Sequence, residues 1–155
     1  VPDWIGDRAA FETDLLSDIM PLVSASYSVD TSVATTAIVG LSMGGGQALR
    51  GGLGHLDTFG WIGGFSSGAP RDTSDDPDGT TLDDAFADLL TRPTKPKLLW
   101  IGCGTDDFLY ERNTEFLAWL ERSEVPHTAH ITGGGHSWSV WRKYLEEFLP
   151  LLFVD

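Results

Sequence analysis

Apolar positions along the chain follow two periods, one helical and one extended, and the two alternate. Over Arg8–Ser26 they fall at Phe11, Leu15, Leu16, Ile19, Leu22 and Val23, a helical spacing in which Pro21 is expected to bend or end the helix. Thr35–Leu41 (TTAIVGL) is short, β-branched and largely apolar, which predicts a strand buried on both faces. Gly44–Leu53 predicts a helix in spite of its glycines, and Phe59–Phe65 (FGWIGGF) a second buried strand. A short helix is expected over Leu82–Leu90, inside an excursion Ser67–Pro96 that holds four of the eight prolines. Lys97–Gly102 reads as a third strand and Glu111–Ser123 as a helix carrying Phe116, Leu117 and Leu120. His127–Thr132 is the fourth strand. Ser139–Phe153 closes the chain as a helix, with Val140, Tyr144, Leu145 and Phe148 on one side until Pro150 disturbs it. Strands alternating with helices imply an α/β fold with a parallel sheet covered on both faces. No internal repeat or second domain is visible, so residues 1–155 read as one domain.

Charge narrows the partners. The chain carries 23 acidic and 10 basic residues, a net charge of −13, which repels phosphate backbones and argues against nucleic acid. Much of the excess lies in Arg71–Asp88, where seven Asp face one Arg, the pattern of a solvated loop. No apolar run approaches the ~20 residues of a membrane-spanning helix, and no membrane partner is expected. The lone Cys103, set between Gly102 and Gly104, reads as a small buried residue. Four dispersed histidines and one cysteine lack the ligand spacing of a structural zinc site; His55, His127 and His130 read as ordinary surface or strand residues. Neither a metal nor an organic cofactor is implied.

The candidate chemistry is nucleophilic. Gly40-Leu41-Ser42-Met43-Gly44 places a serine between glycines after a predicted strand and before a predicted helix, the setting in which a tight turn holds a hydroxyl clear of its surroundings. The motif is weak alone, because 18 of 155 residues are Gly, and Gly64-Phe65-Ser66-Ser67-Gly68 matches it too. Context separates them: small residues that open a helix follow Ser42, whereas Ala69-Pro70 and a run of Asp follow Ser66. Nucleophile, acid and histidine occur in that chain order in such folds. Asp106 and Asp107 follow the third strand, and His136, after Gly133-Gly134-Gly135, follows the fourth. All three candidates sit at carboxyl ends of predicted strands, where the sites of open α/β sheets gather.

These segments resemble an esterase family of the α/β-hydrolase fold that includes feruloyl and acetylxylan esterases, S-formylglutathione hydrolases and mycolyltransferases. The feruloyl-esterase branch is the most similar. The resemblance spans Phe11–Tyr27 (FETDLLSDIMPLVSASY), Gly40–Gly45 (GLSMGG), Gly104–Tyr110 (GTDDFLY) and Gly134–Phe153 (GGHSWSVWRKYLEEFLPLLF), the last being the most specific. It implies Ser42 as nucleophile, Asp107 rather than Asp106 as the orienting acid, and His136 as base. The fold implies the Met43 backbone N–H as one oxyanion donor. Trp138 reads either as packing or as lining an acyl or aromatic pocket, and Trp141 as packing.

The family's strands that precede the elbow strand, and the loop that normally gives the second oxyanion donor, have no counterpart here. The expectation is therefore the C-terminal half of the fold, about four strands, either as a fragment of a longer enzyme or as a truncated form. The expected activity is serine carboxylesterase cleavage of short acyl or aryl esters, feruloyl or acetyl groups among them, free or linked to polysaccharide, through an acyl-enzyme. Acyl transfer by the same triad and a non-catalytic carbohydrate-binding fragment remain as alternatives. An unpartnered elbow strand carrying no Lys, Pro or charge also predicts a homodimer through the exposed sheet edge.

Overall fold

In the computed structural model, residues 8–70 and 81–154 are described. The first helix, α1, runs in three consecutive pieces: α-helical over Arg8–Thr13, a π segment over Asp14–Ile19, and α-helical again over Met20–Ser26. Then follow β1 (Ala37–Leu41), α2 (Ser42–Gly54), β2 (Trp61–Phe65), two short helices α3 (Leu82–Ala85) and α4 (Ala87–Thr91), β3 (Leu98–Gly104), α5 (Tyr110–Arg122), β4 (Thr128–Thr132) and α6 (Trp138–Phe148). A 3₁₀ turn, Leu149–Leu151, closes the described chain and absorbs Pro150 near its start.

The four strands form one sheet in the order β1-β2-β3-β4, every pair parallel. Sequential order with helical crossovers is the α/β arrangement that the alternating pattern predicts. Side chains alternate across the sheet and build two cores. On one face Ile62, Leu99 and Ile101 pack with Leu49 and Leu53 of α2, Phe86 of α3's end, and Phe116 and Leu120 of α5. The other face carries Phe65 and Trp100, covered by Val140, Trp141, Tyr144 and Phe148 of α6.

Several expectations are corrected. β1 was expected to be buried on both faces, but its residues are only half-buried and Val39 is 40% exposed. β1 is the edge of the sheet, and α6 lies over β2 and β3, so one face of β1 has little cover. Pro21 does not end α1, which continues to Ser26; it stands at the start of the last α-helical piece, directly after the π segment. The π segment changes which residues face inward. The Met20 N–H bonds the carbonyl of Leu15, five residues back, so Met20 packs on the core beside Leu15 and Leu16 while Ile19 and Leu22 turn outward. In α6 the buried stripe takes Trp141 in place of Leu145, which is 41% exposed.

Within the acid-rich stretch Arg71–Asp88, expected as a solvated loop, the described part is largely helical. Residues 71–80 lie outside the described residues, whereas Leu82 and Phe86 are buried and the helix expected over Leu82–Leu90 breaks in two at Phe86. Thr81 caps α3, its hydroxyl accepting from the Asp84 N–H at 3.1 Å.

Candidate active site

The carboxyl ends of β1, β3 and the segment after β4 meet at one end of the sheet. β1 leaves Leu41 in extended conformation, and the next residue, Ser42, turns to φ 54° and opens α2. A non-glycine residue held in the left-handed region costs on the order of 1–3 kcal/mol and marks a place that the surrounding structure over-determines. The turn is tight because the chain doubles back on itself: a Cβ on Gly40 would lie 2.2 Å from the Gly44 carbonyl oxygen. Gly44, the other glycine of the motif, faces open space. Close approach therefore requires one of the two glycines.

The acid and base loops approach each other in the same way. A Cβ on Gly104 would meet the Gly134 carbonyl at once, and the Thr105 and Asp106 N–H groups donate to the Thr132 and Gly134 carbonyls at 2.8 and 3.1 Å. These loops bring three predicted side chains together. The carboxylate of Asp107 lies 3.0 and 3.1 Å from His136 Nδ1, and His136 Nε2 lies 2.9 Å from Ser42 Oγ. A carboxylate only accepts, so Nδ1 carries the proton and Nε2 is left to accept the Ser42 hydroxyl hydrogen. The Asp107 side chain is fully buried and also accepts from the Leu109 N–H at 2.9 Å. Asp106 is exposed and accepts from the Gly134 N–H at 3.3 Å, which braces the two loops without reaching His136.

Ser42 opens on a cleft of about 330 Å³ lined by Phe11, Met43, Gln47, Phe108 and Arg112 among others. Met43 occupies the first turn of α2 with its side chain exposed. Phe108, which sequence reasoning did not single out, is 76% exposed, and its ring centroid lies 4.5 Å from that of His136. A bulky aromatic directly after the acid candidate, in a turn, was the available signal. Trp138 does not line this cleft. It meets Trp141 edge-on at 5.2 Å, and Trp141 in turn meets the His136 ring at 4.8 Å. Trp138 instead borders a separate apolar groove of about 180 Å³ with Val39, Leu41 and Leu145.

The other three histidines are engaged elsewhere. His55 lies 3.4 Å from Glu12, His127 Nδ1 lies 2.8 Å from the Val125 carbonyl oxygen, and His130 stacks on Trp100 with Glu147 at 2.7 Å from its Nε2. Cys103 is fully buried, and burial, helped by the nearby Asp107 charge, pushes its thiol up to about 12. It stays a thiol at neutral pH and is no nucleophile. Among the described residues no three His, Cys, Asp or Glu side chains cluster as a metal site.

A family described as "Putative esterase" matches residues 5–152. The chain belongs to this family. An acetyl esterase of Caldicellulosiruptor saccharolyticus is 27% identical over an alignment covering 83% of this chain and 58% of that protein. The ferulic acid esterase of the anaerobic fungus Anaeromyces mucronatus superposes with a TM-score of 0.84 at 25% identity, covering 99% of this chain and 57% of its own. S-formylglutathione hydrolase of Staphylococcus aureus, at 19% identity and a TM-score of 0.74, shares the fold over 95% of this chain and 66% of its own. The four-stranded sheet is thus part of an α/β-hydrolase fold, and the chain spans 57–58% of the acetyl and ferulic acid esterases it matches.

Proposed function

We propose that this chain carries a serine carboxylesterase site that works through an acyl-enzyme. The observation that carries this reading is the unbroken line Ser42 Oγ, His136, Asp107, with contacts of 2.9 and 3.0 Å, built on a serine held at φ 54°. His136 Nε2 takes the proton from Ser42 as Oγ forms a bond to the ester carbonyl carbon. The carbonyl π electrons move to oxygen, and the Met43 N–H at the start of α2 donates to that oxyanion. As the tetrahedral adduct collapses, the C–O bond to the alcohol breaks and the imidazolium returns its proton to the leaving oxygen. Water then repeats the sequence on the acyl-serine, releasing the acid. Asp107 keeps the proton of imidazole on Nδ1 and stabilises the imidazolium while it exists.

For the substrate we infer a short acyl or aryl ester. The names of the relatives, an acetyl esterase and ferulic acid esterases, support it, and so does a cleft in which Phe11, Met43 and Phe108 offer apolar walls next to Ser42. Labelling by a fluorophosphonate probe tests the nucleophile: wild type should be labelled and Ser42→Ala should not. Turnover of an aryl acetate and of methyl ferulate tests the reaction and ranks the acyl groups. Equal labelling of Ser42→Ala would move the nucleophile elsewhere.

A further inference from the structure

Behind the nucleophile, the turn after β2 ties together the two loops that carry Ser42 and Asp107. The Gly68 N–H donates to the Ser42 carbonyl at 2.8 Å. One residue earlier, the Ser67 carbonyl accepts from Asn113 Nδ2 at 2.9 Å, and the same amide nitrogen donates to the Leu109 carbonyl at 2.8 Å. The Leu109 N–H in turn holds Asp107 Oδ1. A relay of hydrogen bonds and short backbone links thus runs from the nucleophile to the acid through the Asn113 side chain, and beside it Arg112 Nε donates to the Ala69 carbonyl of the same turn.

The cost of this arrangement argues that it serves geometry. Asn113 is fully buried on the stripe of α5 that also carries Phe116 and Leu120. Two carbonyls face its Nδ2, which only an NH₂ group satisfies, so the amide has one orientation. Among the described residues no group donates to its Oδ1. A buried acceptor left unsatisfied is destabilising relative to an aliphatic side chain of the same size. Space for the turn is also specific. A Cβ on Gly45 would lie 2.6 Å from Ser67 Oγ, and one on Gly46 would lie 2.4 Å from the Gly68 carbonyl oxygen. The glycine run of α2 therefore lets this turn press against the nucleophile's helix.

We propose that Asn113 is a positioning residue that fixes the Asp107 turn relative to Ser42, an inference that rests on the roles assigned to both above. The base must bridge two groups carried on separate loops, and a misplacement of about 1 Å at such a site is worth about 10²-fold in rate. Asn113→Ala and Asn113→Asp, the second preserving volume while removing the donor, should each lower kcat on an aryl acetate by about 10–10²-fold with KM within about twofold. Leu120→Ala, a buried truncation on the same helix, should lower Tm yet keep kcat within about threefold of wild type. Proton NMR gives a readout independent of turnover: the His136 Nδ1–H signal, held downfield by Asp107, should persist in Leu120→Ala and vanish in both Asn113 variants. Wild-type kcat in the Asn113 variants, a loss carried by KM, or an equal fall in Leu120→Ala would overturn the proposal. An inactive wild type would instead count against the esterase reading, and the NMR signal would still decide on Asn113, its retention in both variants overturning the role.

Discussion

Two serines of this chain sit in the same five-residue pattern, at the ends of adjacent parallel strands, in nearly the same backbone conformation. Ser42 follows β1 with φ 54° and Ser66 follows β2 with φ 45°. Their surroundings are opposite. Ser42 starts a 13-residue helix and presents its hydroxyl to His136 at the wall of a cleft. Ser66 starts no helix and is fully buried, with its hydroxyl beside the buried Cys103 thiol. The strained turn aims a side chain, and the neighbouring elements decide whether it is aimed at solvent and a base or into the core. A left-handed serine between glycines is therefore not by itself a nucleophile.

The sharpest way to break this comparison is to remove each hydroxyl. Ser42→Ala should reduce ester hydrolysis by at least about 10³-fold, since losing the nucleophile removes the covalent route. Ser66→Ala should leave activity within about threefold, because the hydroxyl that leaves is buried beside Cys103 and the backbone remains. A folded but inactive Ser66→Ala protein, judged by circular dichroism, would exchange the two roles.

Next in size is the pair of aspartates. Asp107→Asn should lower kcat by about 10²–10⁴-fold, the range for an acid that fixes the tautomer of a catalytic histidine. Asp106→Asn, which loses only a 3.3 Å bond from an exposed carboxylate, should cost less than about tenfold. The reverse ranking in steady-state kinetics would shift the acid by one place.

The glycines around the two turns should differ in stability. Gly44→Ala adds a methyl into open space within a helix and should raise stability by about 0.5–1 kcal/mol. At Gly46 the same methyl collides with the Gly68 carbonyl and should lower Tm by several degrees, about 1–3 kcal/mol. Thermal melts that rank the two alike would mean that the turn after β2 gives way freely.

The smallest effect concerns the open edge beside the first turn. We propose that β1 pairs with a second copy of the chain, because among the described residues no strand pairs with its outer edge and Val39 is half-exposed. Sedimentation at micromolar concentration should show a dimer, and Val39→Lys should shift it to monomer without loss of fold. A monomeric wild type would show that this edge is covered otherwise.

The sequence predicts the strands well because a buried parallel strand is a short apolar run, and TTAIVGL, FGWIGGF and KLLWIG are such runs. Chain order and glycine spacing likewise pointed to Ser42 and His136, which the structure brings within hydrogen-bonding distance. The exposure of Val39 was not legible, since it depends on which strand ends the sheet and not on β1 itself. Nor was the outward turn of Ile19, because a π segment leaves composition untouched while shifting the register. Asn113 left a signal that went unread. It stands three, four and seven residues before Phe116, Leu117 and Leu120, on the helix face those residues mark as buried.

The π segment of α1 has a consequence for how this cleft can vary. Each residue added to or removed from an α-helix rotates everything beyond it by about 100°, and a π turn absorbs one such residue locally. Phe11 and Glu12 reach the cleft from the first piece of α1, while Leu15, Leu16 and Met20 anchor the helix to the core. Asp14–Ile19 thus sets the register between the cleft-lining residues of the first piece and Met20 on the core. Deleting a single residue there, Ser17 for example, should turn Phe11, Leu15 and Leu16 together by about 100° relative to Met20, taking Phe11 off the wall beside Ser42 and the two leucines off the core. A length change of one residue in this segment would thus alter one wall of the cleft with no substitution at the wall itself.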